Sequence, residues 1–393
     1  MTPLLSIRGL PAAMMMGAAA FGGWGLLLPV VPLAISVGGG SDAVAGASTA
    51  IFMATTVLTQ LWVPRLLVRL GHRKVLALGC AFLGLPAALF VLSVAVVPAL
   101  TVSAVRGIGF GMLTVAGSAL VAELAPTGQL GRATGAQGIS IALSQTVTLP
   151  LGLALFAVSP ASVFVLGAIV PMLGLIAIAF LPPIHPTAPP ARASGENSAA
   201  KQLLIPCLAI AAASASFGGL SSLLPIAEIG RETMIGIALA VISGAMLVGR
   251  YGAGAIADRV GVGRALAPAL ILVSGGVALF AFAVAGSNPG YVFFGAAAVF
   301  GLGYGATQND SLVMAFRAAG PRRYSQASAS WNIGFDAGTG AGAMALGLVV
   351  GTVGYSAGFV MASALAVMMA VAVAMTASRS TARPSKAHRR RTM

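Results

Sequence analysis

Charge is what this chain has least of. Only 8% of its 393 residues are charged and 58% are hydrophobic, where a soluble domain carries roughly 25% charged residues. That shortage excludes a soluble globular fold, so the solvent of this chain is lipid. Acids are scarcest: eight Asp and Glu stand against 22 Lys and Arg, a net charge of +14. The excess does not point to nucleic acid, because the basic residues sit in short loops and tails without interleaved aromatics; the positive-inside rule accounts for them. Cysteine is nearly absent. Cys80 and Cys207 each lie in an apolar run with no metal-ligand spacing, which reads as two small core residues and leaves the redox compartment open. The three histidines, His72, His185 and His388, are not spaced with Cys, Asp or Glu as a metal site requires. No glycine-rich loop ends in Lys-Ser or Lys-Thr, so a built-in ATP motor is not expected and energy has to come from an ion gradient. No enzyme site and no cofactor or metal are expected.

What the chain does have is apolar runs of roughly 20 residues from end to end, each enough to span a bilayer as a helix. The short alternating strands of a membrane barrel are missing. The spacing predicts an all-α polytopic membrane protein of twelve helices, at about 11–36, 45–68, 74–93, 97–122, 132–156, 161–181, 202–227, 234–257, 265–286, 290–317, 324–350 and 355–377. A polar, Pro-rich stretch divides them. The expected units are an N-terminal six-helix bundle (1–181), a cytoplasmic linker (182–201), a C-terminal six-helix bundle (202–378) and a basic cytoplasmic tail (379–393).

The two halves repeat one another. Phe21-Gly22-Gly23-Trp24-Gly25-Leu26-Leu27-Leu28-Pro29 returns 196 positions later as Phe217-Gly218-Gly219-Leu220-Ser221-Ser222-Leu223-Leu224-Pro225, with six of nine residues matching. A cleaved leader has no reason to mirror helix 7, so the first run is expected to be a span rather than a signal peptide. Arg106-Gly107-Ile108-Gly109-Phe110-Gly111 in helix 4 is echoed by Phe300-Gly301-Leu302-Gly303-Tyr304-Gly305 in helix 10. Pro29 and Pro225, at equivalent places, are expected to kink their helices near the outer mouth. Six helices per half, in the same orientation, follow. Loop charge then sets the topology. The connections near 37–44, 93–98, 157–161, 286–290 and 351–355 carry no Lys or Arg, and that near 228–233 carries only Arg231. The opposite face carries the rest, which places both termini in the cytoplasm, as for a bacterial plasma-membrane protein.

One hairpin carries a family resemblance. Gly254-x-x-Ala257-Asp258-Arg259-x-Gly261, followed by Arg264, closely resembles motif A of the major facilitator superfamily of secondary transporters. A weaker counterpart in the first half keeps Arg69, Gly71, His72, Arg73 and Lys74 but has Pro64 and Val68 where the motif has glycine and an acid. Arg106-Gly-x-Gly-x-Gly resembles the superfamily's motif B, whose arginine is implicated in proton coupling or charge balance. Thr148-Leu149-Pro150-Leu151-Gly152-Leu153 keeps one Pro and one Gly of the antiporter signature, motif C. The resemblance implies the fold of that superfamily and a drug-efflux-like proton antiporter. It also implies that Asp258 latches onto the first half near helix 5, with Glu123 and Arg132 at hand.

Ionisable and polar groups inside spans are expensive, hence functional candidates. Asp336, near the middle of helix 11, fits two roles: handling a proton or substrate, or standing ionised against a basic partner or a backbone break. Asp310, nearer the cytoplasm in helix 10, fits either transport or a solvated place at the inner mouth. Arg106, Asp336 and Asp310 are the expected proton-coupling set. Arg250 reads as a snorkelling or gate residue. Phe21, Trp24, Gln137, Gln145, Phe217, Ser221, Gln308, Asn309, Trp331 and Asn332 are expected to line a central cavity, though any one of them also fits plain packing. The expected function is proton-coupled export of small hydrophobic or amphipathic molecules by a monomer in a lipid bilayer. The alternatives are proton symport of an anionic solute and a non-transporting scaffold or sensor.

Overall fold

A computed structural model describes residues 6–126, 129–182, 196–286, 288–320 and 323–381. All regular structure in them is helical. Eleven helical runs are long and apolar enough to cross a bilayer. The last, Tyr324–Thr381, is broken at Gly354 (φ 82°, ψ 164°), so it makes two crossings and the expected twelve are present. We number them α1 (Leu10–Val37), α2 (42–70), α3 (72–91), α4 (Val96–Leu124), α5 (Leu130–Val158), α6 (Pro160–Ala179), α7 (Glu196–Ala227), α8 (Glu232–Val260), α9 (Leu266–Val284), α10 (Gly290–Ala319), α11 (324–353) and α12 (355–381). Helix α7 begins at Glu196, inside the stretch expected to be linker; residues 183–195 of that linker and 382–393 of the tail lie outside the described residues.

The breaks have local causes. Pro29 splits α1 into Leu10–Leu27 and Val30–Val37, since proline lacks the N–H of the helical ladder and its ring clashes with the preceding turn. Its counterpart Pro225 lies in the last turn of α7, which continues through it to Ala227. Of the two kinks expected there, only the position in the first half interrupts its helix. At the α2–α3 and α8–α9 turns the repeat is closer. Gly71 has φ 76° and ψ 164° and Gly261 has φ 103° and ψ 154°, a backbone region essentially reserved for glycine. The glycine shared by the two hairpins thus marks the same reversal in each half.

Polarity is inverted relative to a soluble protein. Leu92, Val97, Val158 and Phe180 lie exposed on the outside, while Arg106, Gln60, Asp310 and Asp336 are buried. That distribution suits a hydrocarbon solvent, in which backbone polar groups have to be satisfied internally and helices do so. The protein is an integral membrane protein. Within each half, α2 packs on α4 and α8 on α10; across the halves, α2 meets α11 and α5 meets α8. These two seams carry most of the contact between the bundles.

Candidate functional site

The site begins with glycines. In α4, a Cβ on Gly107 would sit 2.1 Å from the Phe52 carbonyl oxygen of α2, one on Gly109 2.3 Å from the Leu83 nitrogen of α3, and one on Gly111 2.6 Å from the Thr56 carbonyl oxygen. In α10, Gly301, Gly303 and Gly305 face Ile242 O, Val273 N and Met246 O at 2.4, 2.6 and 2.0 Å. Residues 52, 83 and 56 correspond to 242, 273 and 246 in the repeat. The alternating glycines of both halves therefore serve close backbone contact, where any larger residue forces a helix to shift.

The residues between those glycines face inward. Phe110 lies 5.0 Å from Phe21 and stacks on Trp24 at 5.3 Å; its counterpart Tyr304 stacks on Phe217 at 5.1 Å. Phe335 and Trp331 of α11 extend the second stack, at 6.3 Å from Tyr304 and 5.7 Å from each other. Two aromatic clusters, one per half, are thus built around the same repeat pair, Phe21–Phe110 and Phe217–Tyr304.

Asp336 and Gln60 join the halves. Gln60 Nε2 of α2 donates to Asp336 Oδ2 of α11 at 2.6 Å and to Thr114 Oγ1 of α4 at 3.1 Å. Both side chains are buried, and Gln60 Oε1 has no partner. Among the described residues no ion pair includes Asp336. The sequence did not mark Gln60; its signal was a polar side chain closing an apolar helix, visible only once its partner 276 positions away is known.

Arg106 is equally buried and takes a different set of partners. Its Nε donates to Leu83 O at 3.1 Å and its Nη2 to Gly23 O at 3.4 Å, and the guanidinium lies over the rings of Phe52 (5.5 Å) and Phe90 (5.9 Å). Arg106, Asp336 and Asp310 are not brought together as one set. The carboxylate of Asp310 instead accepts from Gly263 N at 2.8 Å and Ala265 N at 3.0 Å, so it holds the α8–α9 turn and the start of α9. It is fully buried rather than solvated at a cavity mouth.

The remaining candidates divide by what their polar atoms touch. Arg250 Nε and Nη2 both donate to Gln308 Oε1, the former at 2.8 Å, and a Cβ on Gly138 of α5 would come within 3.2 Å of Arg250 Nη1; Arg250 therefore lies at the α5–α8 seam. Gln137 Nε2 lies near Gly17 and Gly117, and Gln145 beside Gly25. Asn309 Nδ2 lies toward Gly254. Ser221 donates to Phe217 O in its own helix, Asn332 to Ser328 O, and Trp331 Nε1 to Ser311 Oγ, so these three are satisfied without a ligand. Of the gating residues, Arg69, Arg259 and Arg264 are exposed, Arg73 Nη2 donates to Leu181 O at the end of α6, and Glu123 lies 3.8 Å from His72. The side chains of Asp258 and Arg132 lie outside the described residues.

At the end of the bundle away from the Gly71 and Gly261 turns, the halves close on each other. Thr49 and Ser222 share a hydrogen bond of 2.9 Å, Tyr355 donates to Asp42 at 2.8 Å, and a Cβ on Gly46 would lie 2.3 Å from Ala343 O.

A sequence model of the Major Facilitator Superfamily matches residues 13–309, with a second match over 206–392. The chain belongs to the Major Facilitator Superfamily. Two overlapping matches are what a duplicated chain gives when either half can register on the model. A crystal structure of the nucleoside transporter NupG is similar to this superfamily member with a TM-score of 0.75 over 93% of this chain and 99% of that one, at 12% identity. At that identity the likeness is one of fold. No curated protein matches in sequence.

Proposed function

We propose that this superfamily member is a proton-coupled secondary transporter that exports small hydrophobic or amphipathic organic molecules by alternating access. The observation that carries the proposal is Asp336: a buried acid, unpaired with any cation among the described residues, hydrogen-bonded across the seam between the halves. Adding a proton there removes the charge that holds the Gln60 N–H, so protonation and the seam are coupled through one bond. Buried intramembrane acids of this kind are functional candidates by default. The two aromatic clusters supply apolar walls for a cargo with little charge. Basic loops at one end, against a far-end Arg231 already paired with Glu228 at 2.8 Å, favour cytoplasmic termini, as in a bacterial plasma membrane. A monomer suffices, because each chain carries both halves.

Proteoliposomes of the purified protein test this. Under a pH gradient they should move one or more members of a panel of lipophilic cations, amphipathic metabolites and, given the fold neighbour, nucleosides. Asp336→Asn should keep the fold and lose the gradient-driven component. If no panel compound moves, export fails; if Asp336→Asn couples like the parent, the proton role fails.

One observation favours a second reading, proton symport of an anionic solute. Arg106 has carbonyls and rings around it but no carboxylate among the described residues. The direction of counterflow when the gradient is reversed separates the two.

A further inference from the structure

We infer that the first half holds a buried site for a single halide-sized anion between Arg106 and Trp24. A small pocket of about 20 Å³ lies there, lined by Trp24, Ser48, Thr49, Phe52, Ser103 and Arg106 among others, with no Asp or Glu in its wall. That volume holds one water-sized particle, which excludes an organic cargo in this conformation. Two of its polar side chains, Trp24 and Arg106, can only donate, and they stand beside the hydroxyls of Ser48, Thr49 and Ser103, which donate and accept. Trp24 Nε1 is buried and has no acceptor, and an indole N–H can only donate. Arg106 offers five N–H groups in principle; two are directed at the Leu83 and Gly23 carbonyls. Ser48 donates to Ala45 O and Thr49 shares a hydrogen bond with Ser222 Oγ, and none of the lining hydroxyls accepts from Trp24 Nε1, so the indole N–H still lacks an acceptor.

Charge decides between a water and an anion. A guanidinium at neutral pH is positive, and a buried charge is tolerated when it is paired. Phe52 and Phe90 offer the negative faces of their rings, which offset the charge only in part. A water would satisfy the indole and leave the charge unbalanced; a halide would do both. The site sits beside the Thr49–Ser222 bond between the halves, so an occupied site would stiffen the closed end. This inference does not depend on proton coupling or on the direction of transport.

The test uses the full chain in detergent, melted in sodium chloride, bromide, acetate and gluconate at matched ionic strength. Chloride and bromide should raise Tm with a saturating dose dependence, as a ligand of the native state does, and acetate and gluconate should not. Trp24→Phe, which keeps the ring and removes the N–H, should weaken halide affinity about tenfold, and Arg106→Gln should abolish the dependence. A second readout stands apart from the folding of Arg106→Gln. With Trp62 and Trp331 replaced by Phe, leaving Trp24 alone, bromide should quench the indole in a saturable manner that chloride competes away. Equal melting in all four salts, or quenching that is linear and not competed, would mean a water only and overturn the proposal. Stabilisation by acetate above chloride would overturn it too, assigning Arg106 to a carboxylate-bearing cargo.

Discussion

Replacing Gln60 by Leu should loosen the contact between the two halves, and the structure sets how far. Gln60 Nε2 holds Asp336 Oδ2 at 2.6 Å and Thr114 Oγ1 at 3.1 Å in a buried setting. A hydrogen bond to a charged group contributes about 1.5–3 kcal/mol. Leucine is close to glutamine in volume, so the change removes the bond without opening a large cavity. If the bond exists only while the α2–α11 seam is closed, its loss moves the closed-to-open ratio by roughly 10- to 100-fold. The measurement is a distance distribution between spin labels at residues 62 and 326, both exposed, one on each half, with Cys80 and Cys207 replaced. The parent should show mainly the short distance and Gln60→Leu mainly a longer one. Lowering the pH should move the parent the same way, because a protonated Asp336 no longer presents a charged acceptor; Asp336→Asn should not respond to pH. A double-mutant cycle with Gln60→Leu and Asp336→Asn isolates the pair. A coupling energy below about 0.5 kcal/mol, within the scatter of independent sites, together with an unchanged distribution, would refute the reasoning.

Gly107→Ala and Gly301→Ala should each lower stability by about 1–3 kcal/mol, read as a drop in Tm, because the new Cβ meets a carbonyl oxygen at 2.1 or 2.4 Å and a helix has to shift. Comparable losses in both would support equal packing roles; loss in only one would break the repeat argument. Gly71→Ala and Gly261→Ala force a side chain into a glycine-only backbone region, at about 1–3 kcal/mol, although open space surrounds both positions. Restoring Tm by a shape-compatible neighbour should therefore fail, since the strain is in the backbone. Asp310→Ala leaves the N–H groups of Gly263 and Ala265 without their carboxylate, about 1–3 kcal/mol for buried donors. Limited trypsin digestion should then cut faster at the exposed Arg259 and Arg264 of the same turn, while unchanged digestion would show that the turn holds without Asp310.

Periodicity carries the fold almost entirely, because in lipid each span has to satisfy its own backbone and so leaves a long, uninterrupted apolar run. The twelve helices are legible for that reason, and the equivalence of Gly71 and Gly261 was visible as a repeated turn. The site is legible only in part. Asp336 stands out because a lone acid in an apolar helix has no cheap reason to be there. Gln60 does not, because its meaning depends on a partner in the other half, and sequence spacing carries no information about a contact across a seam. Asp310 is ambiguous for a related reason. An acid in a span announces an unusual demand but not which one, and here the demand is that of two backbone N–H groups in a tight turn. The same ambiguity runs through Arg-Gly-x-Gly-x-Gly. Its glycines recur in α10 with the same backbone partners, so they answer to packing in both halves, whereas the arginine has Phe300 at its repeat position. A position that departs from the repeat while its neighbours obey it is not required by the architecture. By that argument Arg106 in the first half and Asp336 in the second, whose α5 counterpart is not an acid, are the residues on which the proposed transport chemistry rests.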